Sequence, residues 1–220
     1  LILAQGIQQT KGSFQDKFRQ LDEVLPTPNV YRNASGQPGH QYWQQEVDYE
    51  IAVSLDEDTQ RISGTETIRY QNNSPDTLGY LWLQLDQNRF RSDSMGNMSS
   101  TFNGSSPDTD SPARISLGQL RSLQYLEDVE HGYEINSVQD GAGNDLAHTI
   151  VGTLMRIDLA RPLNPGQDVE FEIDYAYHIV NGDVLRPRGG YEYFPDDENE
   201  DGNYLFAISQ WFPRLVAYTD

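Results

Sequence analysis

"RISGTETIRYQNNSPDTLGYLWLQL", residues 61–85, decides the fold. Its first half reads as a strand, "RISGTETIRYQN". "NNSPDT" follows with the Asn, Ser, Pro and Asp of a turn. "LGYLWLQL" is then apolar on both faces, as a central buried strand is. Upstream, in "VDYEIAVSL", Val47, Tyr49, Ile51, Val53 and Leu55 alternate with mostly polar residues, the period of a half-buried strand. With "DEDTQ" as the turn before Arg61, the three strands are expected to form a β-meander.

Further strands follow at "YEINSVQ", "TLMRIDL" and "DVEFEIDYAYHI", with "DGAGND" and "NPGQ" as turns. In the last of these Val169, Phe171, Ile173, Tyr175 and Tyr177 share one face. "YEYF" and "YLFAIS" bracket an acidic hairpin tip. Residues 92–112 are almost all Ser, Thr, Asn, Asp, Gly or Pro, the composition of a long loop. Leu117, Leu120 and Leu123 mark a short helix. Before all this, Phe14, Phe18, Leu21 and Leu25 lie at helical spacing behind Ser13 as N-cap, and Pro26 stops the run. "PTPNVYRNASGQPGHQ" then reads as an extended linker. The expected class is mainly β: an antiparallel or mixed, sandwich-like sheet domain over 42–220, preceded by a short helix and linker over 1–41.

Composition limits function. The 220 residues carry a net charge of -19, which excludes a nucleic-acid footprint and disfavours an anionic membrane surface. Only Lys11 and Lys17 are lysines. There is no Cys, hence no disulfide framework or thiolate site. No run approaches the apolar length of a membrane span. "LILAQG" reads as the tail of an apolar signal segment with Ala4 near a cleavage point, and equally as an incidental start. A periplasmic or secreted location is expected.

Catalytic motifs are missing. His40, His131, His148 and His178 are widely separated, with no HExxH, and read as four unrelated histidines. No GxSxG, P-loop or dinucleotide fingerprint occurs. In "DDENEDGN", Asp197, Asn199, Asp201 and Gly202 reproduce the first half of a calcium loop, with oxygen ligands on alternate residues and Gly for the turn. The closing Glu is absent, since the twelfth position is Ile208, and a solvated acidic tip is the plainer reading. Gln210, in "YLFAISQWF", is on its own an ordinary strand-end glutamine or an amide that accepts from a charged amine.

"YWQQEVDYEIAVSLDEDTQRISGTETIRYQNNSPDTLGYLWLQLDQNRF", followed by "YLFAISQWFPRLVAYTD", resembles the N-terminal domain of bacterial M1-family zinc aminopeptidases. The resemblance runs from about Tyr42 to the C-terminus and is most specific in "RISGTETIRYQNNSPDTLGYLWLQLDQN". It implies a saddle-shaped β domain that packs on a separate catalytic domain bearing GxMEN and HExxH with its zinc. Neither motif is present in these 220 residues. The chain is therefore expected to be non-catalytic in itself and to stop inside the β domain. The resemblance also implies a role for Gln210: binding the free α-amine of a peptide substrate. Arg214, Trp211 and Phe212 are expected to buttress that segment. One departure is that "WFPRLVAYTD" follows the glutamine, in place of the FPCFDEP-like run of many relatives. The competing reading is a stand-alone β-sandwich module that binds carbohydrate or protein.

Overall fold

The eleven-residue alternation around Glu66 places a buried residue at every second position, and the fold is built outward from it. A computed structural model of the chain describes residues 29–33, 35–99, 116–185, 187–195 and 202–219. The helix expected over 13–25 lies outside them, as does most of the loop expected over 92–112. The described residues fall into two units, 29–44 and 45–219. In the first, the Asn33 carboxamide oxygen accepts from the backbone N–H of Ser35 and of Gln37, and the Arg32 guanidinium stacks on Tyr42 at 4.9 Å.

In the second unit, β1 (Glu46–Asp56) pairs with β2 (Arg61–Gln71), and β2 pairs with β7 (Asp168–His178), both antiparallel in unbroken register. β4 (Glu134–Asp140) closes this sheet on the far side of β7. A second antiparallel sheet has the order β10 (Arg214–Leu215), β3 (Leu78–Gln84), β6 (Leu154–Leu163), β5 (His148–Val151). A separate ribbon consists of β8 (Gly190–Phe194) and β9 (Asn203–Ala207). Helices are short: α1 (Met95–Met98), α2 (Leu117–Asp128) and α3 (Gly182–Leu185), with a 3-10 turn at Asp86–Phe90. Ser116 caps α2 in a reciprocal capping box with Gln119. The fold is mainly β and sandwich-like with antiparallel sheets, as expected, and the described strands form no closed barrel.

Both sheets feed one core. Ile62, Ile68 and Tyr70 of β2 and Phe171, Ile173, Tyr175 and Tyr177 of β7 cluster with Leu81 and Leu83 of β3 and Met155 and Ile157 of β6. None of these side chains is more than 5% exposed. Each large side chain so buried contributes about 1.5–3 kcal/mol.

Two expectations need correction. The meander stops after β2, because β7 takes the second edge of β2 and β3 crosses to the other sheet. Asn72, fully buried, organises that crossing. Its amide nitrogen donates to the carbonyls of Asp76 and Leu163, and its oxygen accepts from Ser74 and Gln45. The turn is thereby tied to the end of β6 rather than folded back on β2. Secondly, β3 is central in its sheet but buried on one face only. Tyr80 is 46% exposed, with the Arg156 guanidinium 4.2 Å above its ring. Apolar residues on both faces made it read as interior, yet on this face the Arg156 guanidinium lies over Tyr80 in place of a further layer. Within the expected loop, Ser94 caps α1 by accepting from the Asn97 N–H.

Candidate functional site

Gln210 follows β9 by three residues, and its backbone sets it apart. Its φ is 54°, in the left-handed region, where a non-glycine residue is uncommon. Holding it there costs about 1–3 kcal/mol, which neighbouring contacts must offset. The clamp is on the carbonyl. Tyr133 Oη donates to the Gln210 oxygen at 3.2 Å, and Gln87 Nε2 donates to the same oxygen at 3.1 Å and to the Ser209 oxygen at 3.2 Å. The side chain is exposed and takes part in no hydrogen bond among the described residues. The backbone is fixed and the amide is presented.

The flanks explain the clamp. Phe206 and Ile208 on one side, and Trp211, Phe212 and Leu215 on the other, pack against the core. Phe212 meets Tyr49 edge-on at 5.4 Å and Trp211 at 5.0 Å. The Leu215 N–H donates to Tyr49 Oη at 2.9 Å, and Arg214 pairs with Asp86. Anchoring both arms leaves a tight reversal between them, and Gln210 occupies it. Arg214, Trp211 and Phe212 thus brace the segment, as expected. Beneath Gln210 is a pocket of about 30 Å³, the size of a single small polar group, lined by Asp86, Gln87, Arg89, Tyr177 and Arg188 among others. With one carboxylate, already paired to Arg214, and two guanidinium groups, the pocket has no field of its own favouring a cation.

Two of the four histidines, expected to be unrelated, are neighbours. His131 is 2% exposed, and its Nδ1 lies 3.5 Å from the His178 carbonyl oxygen. Burial lowers the proton affinity of His131, so it is held neutral. His178 Nε2 accepts from Arg61 Nη1 at 3.1 Å, which leaves Nδ1–H to face the Thr59 carbonyl. Folding back β7 onto the loop before β4 brings the pair together, a long-range contact with no local signal. Asp197, Asn199 and Asp201 lie outside the described residues. Among the described residues no group of three His, Asp or Glu side chains could hold a metal ion, so none is matched to zinc. No described helix is long and apolar enough to cross a membrane.

Sequence reasoning passed over Glu66. It occupies an inward position of β2, between Gly64 and Ile68, with 0% exposure and neither carboxyl oxygen hydrogen-bonded among the described residues. The signal was present: "ISGTETIRY" keeps strict alternation, and Glu66 falls in phase with Ile62, Ile68 and Tyr70.

No protein-family model matches the sequence, and no curated protein matches it at a significant level. Among solved structures the chain is similar to the M1 zinc metallopeptidase from Deinococcus radiodurans, at 14% identity and a TM-score of 0.38, over 70% of this chain and 25% of that one. It is similar also to a two-domain M1 zinc metallopeptidase variant bound to L-arginine, at 15% identity and a TM-score of 0.38, over 68% of this chain and 24% of that one. The chain spans about a quarter of the length of the structures it matches. A likeness of this degree fixes neither site nor activity.

Proposed function

We propose that this chain is the N-terminal β domain of an exported M1-type zinc aminopeptidase, in which Gln210 binds the free α-ammonium of the peptide. The reading rests on the sequence resemblance over 61–88 and on one structural observation. That observation is an exposed amide with no partner of its own among the described residues, on a backbone clamped in the left-handed region. Preorganisation matters because a side chain already fixed at its backbone loses less freedom on binding. An amide oxygen that accepts from an ammonium contributes about 1.5–3 kcal/mol. A peptide with a blocked amine forfeits that bond, which gives an exopeptidase its discrimination. In this reading the domain binds and orients the substrate, while a separate catalytic domain, its structural partner, holds the zinc.

The test is Gln210→Ala in the parent enzyme, assayed on matched free and N-acetylated peptides. kcat/KM for the free peptide should fall about 10- to 150-fold, with little further loss on the acetylated one. Equal loss on both, or none, would return Gln210 to an ordinary exposed glutamine.

A second reading, a stand-alone module binding carbohydrate or protein, is favoured by the ribbon. Tyr191, Tyr193, Tyr204 and Phe206 share one of its faces, and Tyr193 and Tyr204 are each 41% exposed. Glycan or protein binding that is lost in Tyr193→Ala and intact in Gln210→Ala would select it.

A further inference from the structure

A chain with 34 acidic and 15 basic residues has carboxylates to spare for its arginines. Arg61, Arg69, Arg91, Arg156 and Arg214 are each paired with one. Arg89 and Arg188 are in no ion pair among the described residues, and both line the pocket beneath Gln210. The Arg89 guanidinium lies 5.1 Å from the centre of the Phe90 ring, a contact that steadies it and leaves its N–H donors free to bond elsewhere.

Two connections bring these arginines to Gln210. Arg89 lies on the 3-10 turn Asp86–Phe90, whose Gln87 donates to the Gln210 and Ser209 carbonyls at 3.1 and 3.2 Å. Arg188 precedes β8, where Gly190 pairs in register with Ala207 of β9. Between them the chain at Gly189 runs very close to the segment after β9. A Cβ there would sit 2.6 Å from the Ala207 carbonyl oxygen and 3.2 Å from Ser209 Oγ. A glycine permits that approach, and it brings the chain at Arg188 alongside Ser209 and Gln210.

The pocket offers donors without a free acceptor. Asp86, the carboxylate on its wall, is engaged by Arg214. Tyr177 also lines it, is 1% exposed, and has a hydroxyl with no hydrogen-bond partner among the described residues. Burial raises that phenol above its ordinary 10.0, so the hydroxyl keeps its proton to donate. A volume of about 30 Å³ admits one small group. A carboxylate is of that size, and it matches a guanidinium fork through two parallel bonds. It also resolves a conflict at the site. An ammonium at Gln210 would face two like charges, and an anion between the arginines offsets them.

We propose that Arg89 and Arg188 form a carboxylate-binding subsite beneath Gln210, so that the whole site takes a peptide bearing an acid close to its free amine. The acid is the side chain of an N-terminal aspartate or glutamate, or the C-terminal carboxylate of a dipeptide. The amine half of this inference rests on the aminopeptidase reading above, and the acid half rests on the pocket alone.

Peptide titrations of the 220-residue chain, followed by NMR chemical shifts at low salt, test it. Three probes with a free amine differ in their acid. Ala-Ala carries it at the C-terminus, Asp-Ala amide carries it on the first side chain, and Ala-Ala amide has none. An acid-bearing probe should bind about tenfold more tightly than Ala-Ala amide, and the probe that does so identifies the source. Arg89→Gln combined with Arg188→Gln should remove that preference. Both side chains are exposed, so the variant should fold as the parent chain does. Equal Kd for the three probes, no saturable binding of either acid, or a preference that survives the double substitution overturns the proposal. N-acetyl-Ala-Ala, which keeps the acid and loses the amine, separates the two readings. If it binds as tightly as Ala-Ala and still needs the arginines, the amine reading fails and the subsite stands. If acetylation weakens binding while the three free-amine probes bind alike, the subsite fails and the amine reading stands.

Discussion

β2–β7 and β8–β9 are both antiparallel pairs with alternating apolar residues, and they end in opposite conditions. The first pairs eleven residues on each strand and buries Phe171, Ile173 and Tyr175 completely. The second pairs five, and Phe194 and Leu205 are 50% and 54% exposed. Alternation is the same in both; what differs is the second layer. β2–β7 faces β3 and β6 across a shared core, whereas the ribbon touches that core through Tyr191 and Phe206 and is otherwise held by its own ladder, with Tyr193 against Tyr204 at 5.1 Å and Tyr191 against Phe206 at 6.3 Å across the strands. Cross-strand aromatic pairs contribute about 0.2–1 kcal/mol each, far below the burial of a core phenylalanine. Gln210 lies where the weakly buried element joins the strongly buried one, which is why it is at once fixed and exposed.

The largest contrast is expected from Phe171→Ala. Removing a fully buried ring should lower unfolding free energy by about 3–5 kcal/mol in a urea titration. A loss below about 1 kcal/mol would mean that the two sheets do not share a packed core.

Gly64→Ala should come next. A Cβ there would sit 3.0 Å from Tyr175 Oη and 3.1 Å from the Ala52 carbonyl oxygen. Neither can retreat easily, since Tyr175 is fully buried and the carbonyl belongs to the β1 backbone. Overpacking of this kind costs about 1–3 kcal/mol. A thermal melt that did not move would show that Tyr175 yields, and that the interior of β2 is softer than that of β7.

The smallest effect is expected on the ribbon. Leu205→Ser should change stability by no more than about 0.5 kcal/mol, as for an exposed side chain. A loss comparable to that of Phe171→Ala would mean that the ribbon is covered in solution and would erase the contrast.

Much of the fold was legible. The strands around 47–55, 61–72, 133–139, 153–159 and 168–178 were readable because period-two alternation reports directly which face is buried. The helix at Leu117–Asp128 was readable from leucine spacing. What sequence pattern could not supply was sheet membership. "NNSPDT" announces a turn, but only the Asn72 amide bonded to Leu163 decides that the chain leaves β2 for the other sheet. "LGYLWLQL" looked interior because it is apolar on both faces, yet Tyr80 is exposed beneath Arg156 of the neighbouring strand.

The site divides in the same way. Gln210 was nameable from its motif, whereas its left-handed backbone and its clamp were not. Gln87 and Tyr133 are 123 and 77 residues away in the chain. By itself, then, the sequence determined periodicity, turn chemistry, the absence of cysteine and the acidic balance, because these depend on residues close together in the chain. Only the tertiary structure decided that Glu66 is buried without a hydrogen-bond partner among the described residues, that Tyr133 and Gln87 converge on the Gln210 carbonyl, and that Tyr193, Phe194, Tyr204 and Leu205 of the ribbon stay exposed. Burial and hydrogen-bond partnership are set by which distant strands become neighbours, and no local pattern encodes that.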